Sequence, residues 1–220
     1  MKLIKYNISS NLICILIIWI FHFSGIFGIL YGNSEWFINL TPLNLSVSFL
    51  LLVYVNKNQF KTILFIITCF FVGMISESLG VNFGVIFGSY KYGDALGYKL
   101  FGVPLLIGAN WAILTISCSA LSATLFESRF IKIIMGVFLM IMLDAVIEPI
   151  APVLNFWEFE GGKAPLKNYL GWIIVAFPLN YFYHILNVKV NGTFTHHLYI
   201  LNILFFSILL LQLNTLKNLI

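Results

Sequence analysis

The stretch FIKIIMGVFLMIMLDAVIEP, residues 130–149, decides the fold. As a helix it is long enough to cross a bilayer, which takes about 20 apolar residues. Its last turns nevertheless carry Asp144 and Glu148, one turn apart on one face. A charged side chain in lipid costs roughly 2.5–3.5 kcal/mol on insertion scales, so it persists where it faces a packed interior and has a task. A third acid, Glu77, sits near the end of another apolar run, 61–81. With eight acids in the whole chain, three inside such runs are a large share.

The rest of the chain reads the same way. It is 60% hydrophobic and 9% charged, with mean hydropathy +0.99, whereas a soluble domain is about 25% charged. We expect an all-α polytopic membrane bundle, one integral membrane domain over residues 1–220. About seven transmembrane helices are predicted, at roughly 11–31, 36–55, 61–81, 103–124, 130–149, 168–188 and 195–216. The first run is too long for a signal-peptide core and lacks an A-x-A-like site, so it is read as a retained span. Cys14, Cys69 and Cys118 lie inside apolar runs, which argues for reduced packing residues. The net charge of +4 comes from scattered loop lysines and gives no nucleic-acid patch.

Lys/Arg placement predicts a cytoplasmic N-terminus and an external C-terminus in the cell membrane. Lys2, Lys5, Lys57, Lys61, Arg129, Lys132 and Lys189 then lie inside, against Lys91, Lys99, Lys163, Lys167 and Lys217 outside. Two long Gly-, Pro- and aromatic-rich loops, 82–102 and 150–167, fall on the external side and are expected to fold back and cap a pocket. In this topology Glu77, Asp144 and Glu148 all lie roughly 6–8 Å from the outer helix ends. Asp94 and Glu158 come from the capping loops on that side. Asn110 and Trp111 lie early in the fourth span, and Asn168 and Trp172 open the sixth. Tyr90, Tyr92, Trp157 and Trp172 are candidates for lining an apolar slot. Carboxylates sharing a low-dielectric pocket cannot all ionise, and a protonated one beside an apolar substrate is a proton donor. The competing expectation is that the acids pair with Lys91, Lys99 or Lys163, or cap helix ends.

Absences narrow the chemistry. Four histidines, His22, His184, His196 and His197, do not make a di-iron set. No GxGxxG, P-loop or HExxH motif occurs. Asp144-xxx-Glu148 is at most one half of a diphosphate-binding pair. The last span lacks an interior lysine for a retinal Schiff base. No metal and no cofactor is expected. Transport remains an alternative, because membrane acids also relay protons. Gly73, Gly80, Gly84 and Gly88 suggest close helix packing or a loop that only glycine permits.

The motifs Glu77-Ser78-Leu79-Gly80, Phe87-Gly88-Ser89-Tyr90-Lys91-Tyr92, Gly102-Val103-Pro104 and Asn110-Trp111 resemble the membrane carotenoid biosynthesis family that contains the carotenoid 1,2-hydratases. Asp144, Glu148-Pro149, Trp157 and Ala164-Pro165-Leu166-Lys167-Asn168-Tyr169-Leu170-Gly171-Trp172 extend the likeness over about residues 70–175. The family pattern more often has Asp before the proline, and Glu148 sets its carboxylate one methylene further out. The resemblance implies hydration of an acyclic carotenoid end group by protonation and water capture. Its partners would be a carotenoid in the bilayer, water and membrane lipid, with no nucleic acid. Asp144 would donate the proton and Glu77 would be partner carboxylate or water base, or the two with these roles exchanged, and Glu148 would tune the proton affinity. Asn110 and Asn168 would orient water, while Tyr90, Trp111, Trp157 and Trp172 line the slot. The alternatives are a carotenoid end-group cyclase and a carotenoid-binding or proton-coupled transport protein.

Overall fold

The structure, a computed structural model, describes residues 9–219. Lys2 and Lys5, used in the orientation argument, lie outside the described residues. The helices are α1 (Ser10–Tyr31), α2 (Ser34–Asn39), α3 (Thr41–Val55), α4 (Phe60–Phe83), α5 (Leu105–Leu125), α6 (Arg129–Ile147), α7 (Leu166–Ile185), α8 (Gly192–Leu211) and α9 (Leu213–Leu219). Four short strands lie in the loops: β1 (Tyr90–Tyr92), β2 (Lys99–Leu100), β3 (Val103–Pro104) and β4 (Trp157–Phe159). Among the described residues, six segments are long and apolar enough to cross a membrane, with α2 and α3 counted as one. Each of the seven expected spans corresponds to helix in the structure. The 20-residue α7 is less apolar on average, because it carries Asn168, Asn180 and His184. All three are buried in the bundle rather than offered to lipid.

Two of the seven spans are interrupted. The second breaks at Leu40, just before Pro42, whose missing N–H suits the first turn of α3. The seventh breaks at Gln212, between α8 and α9. Side-chain caps hold several starts: Ser9 accepts from the Leu12 N–H at 3.2 Å, and Asn191 accepts from the Phe194 N–H at 3.2 Å.

α5 is the axis of the bundle. Its small residues, Gly108, Ala109, Ala112, Ser119 and Ala120 among them, let α3, α4, α6, α7 and α8 approach closely. Large apolar side chains such as Leu16, Phe27, Phe71, Phe138 and Ile174 point outward, as a lipid-facing belt requires.

The two long loops leave α4 and α6 at the same end of the bundle and pair with each other. β1 and β4 are antiparallel, with Tyr90 opposite Phe159, Lys91 opposite Glu158 and Tyr92 opposite Trp157. α4 stops at Gly84, whose φ of 62° only glycine adopts without strain; its N–H donates to the Gly80 carbonyl at 2.7 Å. That turn sends the first loop back over the helix ends. Among the described residues, the three buried cysteines are unpaired.

Candidate active site

Glu77, Asp144 and Glu148 converge beneath the paired loops. Asp144 is 3% exposed and Glu77 6%, while Glu148 is half-buried just past the end of α6. Pro149 cannot continue the helix ladder, so α6 ends there. Asp144 and Glu148 lie within hydrogen-bonding reach of each other. Asn168, from the first turn of α7, spans the pair: its Nδ2 donates to Asp144 Oδ2 at 2.9 Å and to Glu148 Oε1 at 3.3 Å. Trp157 Nε1 donates to the same Glu148 oxygen at 3.3 Å.

Glu77 stands in a different setting. The Tyr90 and Tyr92 hydroxyls both donate to its Oε2, the latter at 2.7 Å. Trp111 Nε1 donates to its Oε1 at 2.8 Å. Three donors aimed at one carboxyl favour its ionised form and work against the cost of burying that charge. Burial, and then the Glu77 charge, push the Tyr90 and Tyr92 phenols far above the usual tyrosine range, so both stay proton donors. Among the described residues no lysine or arginine pairs with the three acids. Lys99 pairs with Asp94 at 2.8 Å on the surface, and Glu158 faces outward opposite Lys91. Neither Asp94 nor Glu158 reaches the acids.

Aromatic rings complete the walls. Trp111 and Trp172 stack at 4.3 Å between centroids, 18° from parallel. Phe87 leans on both and on Tyr90. The Trp111 ring occupies the space that a side chain at position 73 would need, and Gly73 leaves it open. Gly80 does the same for Tyr90, where a Cβ would come within 2.7 Å of the phenol oxygen.

These side chains line a small chamber of about 30 Å³, above the roughly 10–15 Å³ that a cavity needs to hold a water. Its lining includes the sequence candidates Glu77, Asp144, Glu148, Tyr90, Asn110, Trp111, Trp157, Asn168 and Trp172, but not Asp94 or Glu158. Ile107, Phe87, Phe159 and Tyr92 complete it. Sequence reasoning placed Tyr92 only against an apolar slot, whereas its phenol binds Glu77. The Tyr-Lys-Tyr alternation held the signal, since residues two apart in a strand share a face.

A second cavity of about 400 Å³ adjoins the chamber, and Ile107, Asn110 and Trp157 line both. Residues of α1, α3, α5 and α8 form most of its wall, and α2, α6 and the two loops supply the rest. Ile20, Trp36 and Leu43 line it and are also exposed on the bundle's flank, so it reaches toward the membrane between α1 and α3.

This is an integral-membrane helical bundle with a carboxyl-lined, water-sized chamber set against an apolar cavity. A family model described as carotenoid biosynthesis protein matches residues 38–219, and the chain belongs to that family. Its role is in carotenoid biosynthesis. No curated protein and no solved structure matches the chain.

Proposed function

We propose that the protein is a carotenoid 1,2-hydratase, adding water across the terminal double bond of an acyclic end group. The observation that carries this is the pairing of a water-sized chamber holding three carboxyls with a large apolar cavity, the two meeting at Ile107, Asn110 and Trp157.

Asp144 and Glu148 share a proton, because two carboxylates this close in a low dielectric cannot both ionise. Asp144 gives that proton to the less substituted carbon of the terminal double bond. The alkene π pair forms the new C–H bond and leaves a tertiary carbocation. The Trp111–Trp172 faces and the Glu77 carboxylate stabilise the cation. Glu77 already accepts three hydrogen bonds, which suits a fixed negative charge better than a base. A water held by Asn168 and Asn110 supplies the oxygen lone pair for the C–O bond. Its surplus proton passes to Glu148 and restores the shared proton. Alkene and water give a tertiary alcohol, and no electrons are transferred to or from a carrier. We place the N-terminus in the cytoplasm, which puts the chamber at the external face.

Expression in cells that make an acyclic carotenoid tests this reading. The expected pigment is heavier by the mass of one water. A ring-containing pigment of unchanged mass would make the protein a cyclase. An unaltered pigment profile from correctly inserted protein would leave binding or transport as the function.

A further inference from the structure

We infer that Trp157 is a positioning residue: its indole N–H, delivered by the β1–β4 cap, keeps the proton shared by Asp144 and Glu148 on Asp144 and returns it there after each turnover. This rests on the reading of the chamber as the site of end-group hydration. A buried indole needs some partner for its N–H, so the bond alone would suit a plain wall residue. The balance of donors around the two acids assigns it more.

The paired carboxyls are not held evenly. Asn168 Nδ2 stands 2.9 Å from Asp144 Oδ2 and 3.3 Å from Glu148 Oε1. A donor stabilises the ionised form of the carboxyl it meets, and a nearer donor does so more. The amide alone therefore leans toward an ionised Asp144, with the proton on Glu148, the wrong acid for the alkene. Trp157 Nε1 adds a second donor to Glu148 Oε1 at 3.3 Å and none to Asp144. Asp144 is also the more deeply buried of the two, so a charge is better placed on Glu148. Indole and burial together oppose the shorter amide bond.

The cycle needs that bias twice. First the Asp144 O–H bond breaks as the alkene carbon takes the proton. Water captures the cation, and its surplus proton forms an O–H bond on Glu148. That bond then breaks as Asp144 takes the proton back. Two donors on Glu148 Oε1 favour this last step, because they leave Glu148 the better-held anion. The fold brings the second donor from across the cap. Trp157 stands opposite Tyr92 in the β1–β4 register, with ring centroids 6.2 Å apart. Cross-strand partners share a face; here Tyr92 donates to Glu77 at 2.7 Å and Trp157 to Glu148. The titratable groups around Glu148 are Asp144 one turn before it, Glu77 from α4, Tyr90 and Tyr92 from β1 and Tyr169 from α7.

The test uses the full-length protein in membranes. Trp157→Phe keeps an aromatic wall and removes the donor. Benzothienylalanine at position 157 removes the donor and keeps the size of the indole as well. Without the donor, Glu148 holds a proton more tightly and stays unable to take one from water up to a higher pH. The acid limb of the kcat profile should move up by about one pH unit in both variants, the scale of one hydrogen bond to a charged group. KM should stay within about twofold, since the ring still lines the apolar cavity. The infrared band of the protonated carboxyl, assigned by its loss in Glu148→Gln, reads the same midpoint without turnover and should move alike. An unmoved limb and band in the benzothienylalanine protein would overturn the proposal and leave Trp157 a wall residue, even if Trp157→Phe moves them through its smaller ring. A higher KM with both unmoved would overturn it as well. If the unaltered protein hydrates no acyclic polyene, the hydration reading fails, and the infrared midpoints alone then decide for or against the hold of Trp157 on the proton.

Discussion

At the scale of single residues, the three acids divide into two chemical settings. Asp144 and Glu148 are held together by Asn168, while Glu77 is held apart by two phenols and an indole. Asp144→Asn keeps the shape and removes the transferable proton. Hydration should fall about 10²- to 10⁴-fold, the range for a lost general acid, with the protein still inserted, as checked by membrane fractionation and pigment mass. The phenols predict a pH effect on stability. Tyr90 and Tyr92 hold their protons far more tightly folded than unfolded. Their contribution is complete below the unfolded tyrosine pKa of about 10 and is lost as pH rises beyond it. The melting temperature of the purified protein should therefore drop above about pH 10, and Tyr92→Phe should lessen that drop. The acids were legible from sequence because lipid makes a charge conspicuous, and helical spacing put Asp144 and Glu148 on one face. The partners of Glu77 were less so. The alternation puts Tyr90 and Tyr92 on one face, but what that face meets depends on the β1–β4 register, which joins residues nearly 70 positions apart.

Among the elements, α4 shows how glycine spacing shapes the site. Gly73 and Gly80 give up their own volume to the Trp111 ring and the Tyr90 phenol. Gly80→Ala sets a Cβ 2.7 Å from the phenol oxygen and 3.0 Å from Phe87. Crowding of this kind typically costs about 1–3 kcal/mol. The expected outcome is a lower melting temperature together with a loss of hydration at least as large as that of Tyr90→Phe, measured side by side. The sequence motif suggested either close packing or a glycine-only loop. Both occur on one helix, with Gly73 and Gly80 in contact and Gly84 at φ 62°. Helix existence was plain from apolar run length. The interruptions at Leu40 and Gln212 were overlooked, although Pro42 follows the first and Gln212, Asn214, Thr215 and Lys217 mark the second. Averaged hydropathy undervalues α7 for the opposite reason, since its polar residues turn inward.

For the molecule as a whole, two loops distant in sequence close over the acids, and the apolar cavity reaches the flank between α1 and α3. If substrate arrives through that flank, the cap has no need to open. Lys91→Cys with Glu158→Cys places two thiols directly across the β1–β4 ladder, at a cross-strand spacing of about 4.5–5.5 Å that a disulfide can span. The bridge should form on oxidation, detected as protection from thiol labels, and hydration should continue. Loss of activity on bridging and its return on reduction would instead mean that substrate passes under the cap. The general architecture could be read in advance: membrane helices and two aromatic loops at one end. The cavity could not, because its walls come from six helices and both long loops, and most of the lining residues look, one by one, like any lipid-facing stretch. The position of the acids at one end of the bundle has a consequence for the pigment itself. On the proposed hydratase reading, a new alcohol made there is born beside the headgroups of one leaflet, with its rigid tail still in the hydrocarbon. The product is thus a sided amphiphile from the moment it forms. A pigment with two reactive ends must leave, turn end over end across the bilayer and return, so its singly hydrated form accumulates before the doubly hydrated one.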